Sequence, residues 1–447
     1  MLDVLVVGAG TGGCLAARRA AELGLKVLII EQKQLACIGD KVCGDAIGRH
    51  HFEDLGLNPP RGEELVNEIK GIEVYSPDRS TVFRVESESL HGYMVNRRAF
   101  GARLLREALD AGAELLDAST ALDLLIKGGY AKGVKVRDKY GELKEVEAKV
   151  VVDATGYPAT LRRRVPADWL MEPSLLEDYV VCHREIRKLN EPLEKPSYCK
   201  IYLNQEASPG GYIWVFPRGL HEVNTGLGVQ AGRGLNPRRL FYEHVIGNLL
   251  PSNSTIMHAG GGVVPTRRPL TSLVGDGFLV VGDAAYQANP IHGGGIGPSM
   301  RAGALAAEAI AEALDADDVS RRGLWSYPLK YNTVYGHKQA SLDAFRIFLQ
   351  TLNNDELNWG MKIRLITERD LLMASMGGEL KVRFTDKALR LLRGIGKLRL
   401  LTKLRITARA MKRLRYLYLN YPSPEDIEKW KAEVEKVFVE LKRGLAP

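Results

Sequence analysis

The sequence predicts an α/β protein built on a parallel sheet, and three stretches carry that prediction. Asp3 to Val7 is an apolar run that passes directly into Gly8-Ala9-Gly10-Thr11-Gly12-Gly13 and an Ala-rich segment. Ala148 to Val152 ends in Asp153-Ala154-Thr155-Gly156, and Gly277 to Val281 ends in Gly282-Asp283-Ala284-Ala285. Short apolar runs bounded by turn residues read as fully buried strands. The carboxyl edge of a parallel sheet is where ligands bind, so the three glycine-bearing strand ends are expected to meet at one site.

Taken in order, the first element is a dinucleotide-binding turn. Gly8 permits the tight turn, Gly10 lets backbone N–H groups approach a pyrophosphate, and Gly13, with Gly12 before it, lets the helix pack closely on the strand. A second strand, Lys26 to Ile30, ends in Glu31, placed to accept both hydroxyls of an adenosine ribose. Strand, helix, second strand and terminal acid make a Rossmann-like unit. Gln32 to His51 is a Gly-, Cys- and Asp-rich loop too long to be a mere connection. Arg97 to Ala111 has Phe100, Leu104, Leu105 and Ala108 at helical spacing, with Asn96 as N-cap. Alternating strands follow near Ala121 to Ile126 and Gly133 to Val136. From about 165 to 265, strands such as Tyr198 to Leu203, Tyr212 to Phe216 and Val223 to Val229 predict an inserted antiparallel β domain. The chain then returns to the first sheet, runs through the glycine-rich loop His292 to Gly297 and enters a helix from Ser299 to Leu314. The expected division is a discontinuous nucleotide-binding domain (1–164 and 266–314), a β substrate domain (165–265) and a helical region (315–447).

Composition narrows the class. The five cysteines, at 14, 37, 43, 182 and 199, form neither an even set nor a C-x-x-C pattern, so free thiols and no metal site are expected. The chain enters its first strand at once, leaving no room for a signal peptide, so an intracellular, cytoplasmic protein is expected. No apolar run reaches the roughly 18 to 20 residues that span a bilayer, which limits membrane contact to the periphery. The net charge of +8 is uneven, because eleven Lys or Arg and no acidic residue lie between Lys387 and Arg415. Such a basic helix with Leu and Met interleaved predicts attraction to an anionic membrane surface in preference to nucleic acid. The plainer alternative is a helix that packs one face on the body.

A long dinucleotide reaching from the first strand to a site encoded some 270 residues later suits FAD better than NAD. Together the glycine turn with Glu31, Asp153-Ala154-Thr155-Gly156 and Gly282-Asp283-Ala284-Ala285 resemble the FAD-containing monooxygenase and reductase superfamily of the p-hydroxybenzoate hydroxylase type. That resemblance implies that Asp283 meets a ribityl hydroxyl and that the backbone of Gly295 and Ile296 faces the flavin pyrimidine, where a helix N-terminus supplies free N–H groups. Asn96-Arg97-Arg98-Ala99-Phe100-Gly101 resembles the superfamily's Asp-Arg-x-x-Phe-Asp without its two acids, and implies that Arg97 meets the cofactor. Ala121 matches a backbone contact on the adenine side.

Two further stretches resemble the geranylgeranyl reductase family: Cys43-Gly44-Asp45-Ala46 and Tyr212-Ile213-Trp214-Val215-Phe216-Pro217. The resemblance implies that Cys43, Gly44 and Ala46 lie at the flavin and that Tyr212, Trp214 and Phe216 form a substrate wall. Period-two spacing puts the three aromatics on one strand face. The implied reaction is saturation of isolated double bonds in geranylgeranyl chains of archaeal-type glycerophospholipids by reduced FAD. Aromatic faces stabilise the cationic character that protonating an alkene develops. Cys43 is the expected catalytic residue, as acid or as a thiol aiding flavin positioning, with Asp45, His50 and His51 as local alternatives. A flavin monooxygenase acting on an aromatic or isoprenoid substrate, and a flavin-binding scaffold, are the competing readings. With one dinucleotide turn in the chain, the electron donor stays open between NADPH and ferredoxin.

Overall fold

The computed structural model describes residues 1–375 and 398–446. Its first layer grows from β1 (Leu2–Val7), α1 (Thr11–Glu22) and β2 (Val27–Ile30). Further along the chain come α2 (Arg97–Asp110), β3 (Leu143–Asp153), β4 (Phe278–Val280) and α3 (Ile296–Asp315). The sheet order is Val274–Gly275, β4, β3, β1, β2, Glu114–Leu116, parallel from β4 onward. Val7 stands opposite both Ile30 and Asp153, and Asp153 opposite Val280. That register brings Gly8, Glu31, Ala154 and the start of the 282–285 turn to one edge, as the strand ends predicted. β3 has two uses: residues 143–147 pair antiparallel with Tyr130–Arg137, and 148–153 then run parallel to β1. Its burial changes at the same point, from largely exposed to buried on both faces.

Glycine sets the spacing of the helices. A Cβ on Gly13 would stand 1.9 Å from the Gly8 carbonyl oxygen, and one on Gly303 of α3 would stand 2.1 Å from that of Gly12. Backbone therefore meets backbone where α1 crosses α3. The latter begins at Ile296, three residues before the expected Ser299, because Pro298 falls in its first turn, where a missing N–H costs nothing.

The second sheet has the order Thr255–Pro265, Tyr179–Lys188, Glu222–Gln230, Ile213–Pro217, Tyr198–Tyr202, Gly71–Tyr75, Val82–Glu86. It is antiparallel except where Tyr198–Tyr202 runs parallel to Gly71–Tyr75. The expected boundary at 165 therefore needs correction, since two strands come from the first stretch of the chain. Period-two patterning marks 71–86 as strands but carries no information about which sheet they join. The fully buried Glu73 secures the graft, accepting from Tyr75 Oη at 2.7 Å and pairing with Arg84 at 2.7 Å and Lys195 at 3.0 Å.

The elements that follow α3 are helical and share one core with the first layer. They include α4 (His337–Leu349), α5 (Leu398–Leu419) and α6 (Ile427–Leu445). In α5, Leu400, Leu401, Leu404, Met411, Leu414 and Leu417 are buried, while Arg399, Arg405, Arg409 and Lys412 are exposed. The leucines interleaved with the basic residues thus serve the core, which corrects their expected part in a lipid-facing surface. Lys387, Arg390, Arg393 and Lys397, with Leu389 and Leu392, lie outside the described residues. Among the described residues no helix is long and apolar enough to cross a membrane.

Because backbone cannot yield where Gly303 meets Gly12, Gly303→Val should cost about 2 kcal/mol or more. A thermal melt should show a fall in Tm together with weaker cofactor retention, since α1 and α3 both open onto the ligand edge.

Candidate active site

The nucleotide half of the site is built from turns. Gly8 has φ +109°, and a Cβ there would lie 2.4 Å from the Ala154 carbonyl oxygen. Above Gly10 the space is open, since a Cβ added there would meet nothing within 4 Å, and Gly10 caps α1 with no side chain. Free first-turn N–H groups beside open space make an anion cradle. Glu31 is buried, its Oε2 accepting from Ala9 N at 2.7 Å and its Oε1 from Lys33 N at 2.9 Å. Each oxygen keeps a second lone pair for a ribose hydroxyl. The Glu31 carbonyl accepts from Ser119 N at 2.9 Å, which brings the buried Ala121, two residues on, to the same end of the sheet. Asp283 is buried with Lys41 Nζ 2.9 Å from Oδ2, and a Cβ on Gly295 would lie 3.2 Å from its Oδ1. Gly295 is the N-cap of α3 and Ile296 its first residue, and the first turn holds neither a capping side chain nor an acid.

Arg97 opens α2 beneath Asn96, whose side chain accepts from Arg98 N and Ala99 N. Its guanidinium is buried, and Nε and one Nη find no protein partner. A buried cation without partners is costly, so the arrangement fits an anionic ligand. The open cradle at Gly10, the Glu31 and Asp283 carboxylates and Arg97 together fit a flavin dinucleotide.

The loop 41–46 joins this half to the second sheet. Lys41 reaches Asp283, and Val42 lies on the glycine-bare strand at Gly260, where a Cβ would come within 2.6 Å of its side chain. Gly44 rests on Phe216, a Cβ there falling 3.1 Å from the ring. The buried Asn224 donates to the Cys43 carbonyl at 2.8 Å and to Asp45 Oδ2 at 2.7 Å, and accepts from Trp214 Nε1 at 3.0 Å. Arg218 adds a 3.2 Å contact to Asp45 Oδ2. Cys43 is partly exposed, and its Sγ accepts from Asp45 N at 3.3 Å. Ala46 is exposed and begins a short strand paired to Met94. The next residue on that partner strand, Val95, donates to the Asp45 carbonyl at 2.9 Å, two residues before Arg97.

Tyr212, Trp214 and Phe216 do share a face, with ring centroids 6.1 and 6.4 Å apart in sequence. They are not equally available. Trp214 is buried against Gly226, whereas Tyr212 and Phe216 are partly exposed. The Tyr212 hydroxyl donates to the His292 carbonyl at 2.7 Å, tying the wall to the glycine loop before α3.

Electrostatics separate the proton-bearing groups. Burial raises the Asp45 carboxyl above its usual range, against the opposing pull of Arg184, Arg97 and Arg218. Burial drives His51 down to about 3 and His292 to about 4, and lowers His50, so all three imidazoles are neutral near pH 7. His51 lies over Gly297 at the start of α3 and meets Tyr335 Oη at 3.2 Å, beside a cavity of about 210 Å³. Cys14 and Cys182 are pushed up to about 12 by burial and are inert. Lys41, Arg184, Arg218 and Asn224 escape sequence reasoning. Only Asn224 carries a signal there, as a polar residue at a buried position of an otherwise apolar strand.

A family model described as the geranylgeranyl reductase catalytic domain matches residues 178–264, the stretch that holds the aromatic wall and Asn224. One described as FAD dependent oxidoreductase matches 3–162. Over 449 aligned residues the chain is 42% identical to a digeranylgeranylglycerophospholipid reductase of Sulfolobus acidocaldarius, covering 99% of both chains. The chain belongs to the geranylgeranyl reductase family. A second digeranylgeranylglycerophospholipid reductase, from Methanothrix thermoacetophila, is 35% identical over 85% of this chain and 95% of its own. The crystal structure of a geranylgeranyl bacteriochlorophyll reductase-like protein from Thermoplasma acidophilum superposes with a TM-score of 0.75 at 26% identity, covering 91% of this chain and 99% of that one. A flavin-dependent brominase shares the fold at a TM-score of 0.65 and 21% identity, over 88% of this chain and 97% of its own. This reductase is a flavin-dependent oxidoreductase, and its cofactor is FAD.

Removing a guanidinium whose Nε and one Nη have no protein partner should weaken FAD binding. Arg97→Ala is expected to raise the FAD Kd by about 10- to 100-fold, the worth of a charged hydrogen bond, as read by fluorescence titration of the apoprotein. An unchanged Kd would remove Arg97 from the cofactor site.

Proposed function

We propose that this reductase saturates the isolated C=C bonds of geranylgeranyl chains in prenyl glycerophospholipids. The observation that carries the reading is the 41–46 loop, ion-paired at one end to Asp283 among the cofactor-binding turns and, at the other, packed on Phe216 and hydrogen-bonded to Asn224 of the aromatic wall. FAD, when bound and reduced, supplies the hydride. Glu31, Arg97, Asp283 and the N-termini at Gly10 and Gly295 hold the cofactor. Tyr212 and Phe216 present partly exposed faces to an apolar chain, and a desolvated aromatic face stabilises cationic character by about 2 kcal/mol. Trp214 acts beneath them, through Asn224, by fixing the loop. Cys43, whose carbonyl that amide holds, lines the reacting face. The relatives' names agree with a digeranylgeranyl lipid substrate. Oxygen insertion finds no comparable support.

Anaerobic incubation of the reduced holoenzyme with a geranylgeranyl glycerophospholipid should add 2 Da per saturated bond by mass spectrometry. A gain of 16 Da under air would establish a monooxygenase instead. Trp214→Ala should keep FAD and lower turnover about 10-fold or more, because Asn224 loses the donor that orients its amide. Loss of FAD would mean that the wall belongs to the cofactor pocket.

A hydrocarbon substrate of this kind resides in a bilayer, and the exposed edge of α5 suits the surface of one. Arg399, Arg409 and Lys412 point outward with Tyr416 and Leu419, which are 65% and 45% exposed. Each basic residue near an anionic leaflet contributes on the order of 1 kcal/mol. The protein should co-sediment with anionic liposomes, less so in high salt and less again when those three become Glu. Equal binding to neutral liposomes would assign the edge to solvent. NADPH and ferredoxin are both compatible electron donors, distinguished by which reduces the flavin in a stopped-flow assay.

A further inference from the structure

We propose that Asp45, in the loop that joins the cofactor half to the aromatic wall, is the acid that protonates the alkene through its unpartnered Oδ1. This rests on the alkene-reductase reading and assigns the proton within that site.

The geometry is that of a carboxyl with one oxygen fixed and one free. Oδ2 is held by Asn224 at 2.7 Å and Arg218 at 3.2 Å, while Oδ1 is buried without a partner. Asp45 has φ +63°, in the left-handed region that aspartate enters more readily than most non-glycine residues. Its N–H is spent on Cys43 Sγ and its carbonyl on Val95 N. Unpartnered buried polar atoms gather around it, for Arg97 Nε and one Nη, and Arg184 Nε, are in the same state.

An unactivated alkene is a very weak base, so the strongest acid in reach has the advantage. A free carboxyl is about 10⁴-fold stronger as an acid than a free thiol. The neutral imidazoles of His50 and His51 are weaker acids still. The charged groups facing Asp45 are Arg218 beyond the wall strand, Arg184 on Tyr179–Lys188 and Arg97 on α2. All three favour the carboxylate, and burial outweighs them. In the step, the π pair of the alkene takes the proton from Oδ1, forming one C–H bond and leaving the carboxylate. The more substituted carbon takes the hydride that reduced FAD supplies, leaving oxidised FAD and an alkane. The carboxylate recovers its proton from water.

The test uses holoenzyme reduced anaerobically and mixed with a geranylgeranyl glycerophospholipid in detergent, following flavin reoxidation in a single turnover across pH. The wild-type rate should fall as pH rises through the carboxyl pKa, because the acid form is lost. Asp45→Asn, whose amide tolerates the left-handed backbone, should keep FAD and the melting temperature, react at least 100-fold more slowly and lose that pH dependence. Asp45→Glu should recover part of the rate, and Cys43→Ala should slow the reaction with the pH profile intact. Independent of turnover, the infrared spectrum of the holoenzyme should contain a protonated-carboxyl band that Asp45→Asn lacks. A rate within three-fold of wild type in Asp45→Asn, or a pH dependence removed by Cys43→Ala in its place, overturns the assignment. A wild-type enzyme whose reduced flavin ignores the lipid overturns the alkene-reductase reading itself.

Discussion

The Asn224 side-chain amide is the joint on which the site depends. It is fully buried and makes three hydrogen bonds, from the Trp214 indole and to the Cys43 carbonyl and Asp45 Oδ2. A buried amide left short of partners costs about 1 to 3 kcal/mol per lost bond, so loop and wall are held in one arrangement instead of sampling several. Glycine makes the contact possible. Gly226 seats the indole, Gly44 admits the Phe216 ring, and Gly260 receives Val42. Side chains at these positions would lift the loop from the sheet and break all three bonds together.

Around this joint the protein keeps its charges in matched groups. Glu172 and Asp178 hold Arg267 at 3.1 and 3.2 Å, and Asp343 of α4 holds Arg346 of the same helix at 2.7 Å while accepting from Arg268 N at 3.0 Å. Tyr286 lies between the guanidinium groups of Arg162 and Arg267, 5.0 and 4.9 Å from its ring centre, with its hydroxyl 3.0 Å from that of Tyr179. Unpartnered buried atoms occur in this scaffold as well, at Arg162 Nε and Arg268 Nε, but Asp45 Oδ1 is the one carboxylate oxygen among the described residues in that state.

The cofactor half was largely legible in the sequence, because the dinucleotide turn constrains residues within thirty positions of one another and the two later strand ends repeat its grammar. The aromatic face was legible for the same local reason, a period of two along one strand. What the sequence concealed is contact at long range. Asn224 meets a loop some 180 residues earlier, Lys41 meets Asp283, and the Gly71–Tyr75 strand joins a sheet encoded mostly after residue 178. Periodicity reports that a strand exists without naming its neighbour. The basic stretch shows the converse: its leucines look available for lipid, yet helical spacing fits a core-facing stripe equally well, and packing against α4 and α6 decides it.

The most direct test of this mechanism is a crystal structure of the holoenzyme with a geranylgeranyl glycerophospholipid bound under oxidising conditions, where no turnover occurs. The prenyl chain should lie along the Tyr212 and Phe216 rings, with one double bond within contact distance of both the flavin and the 43–45 loop. A chain seated away from that loop would contradict the mechanism.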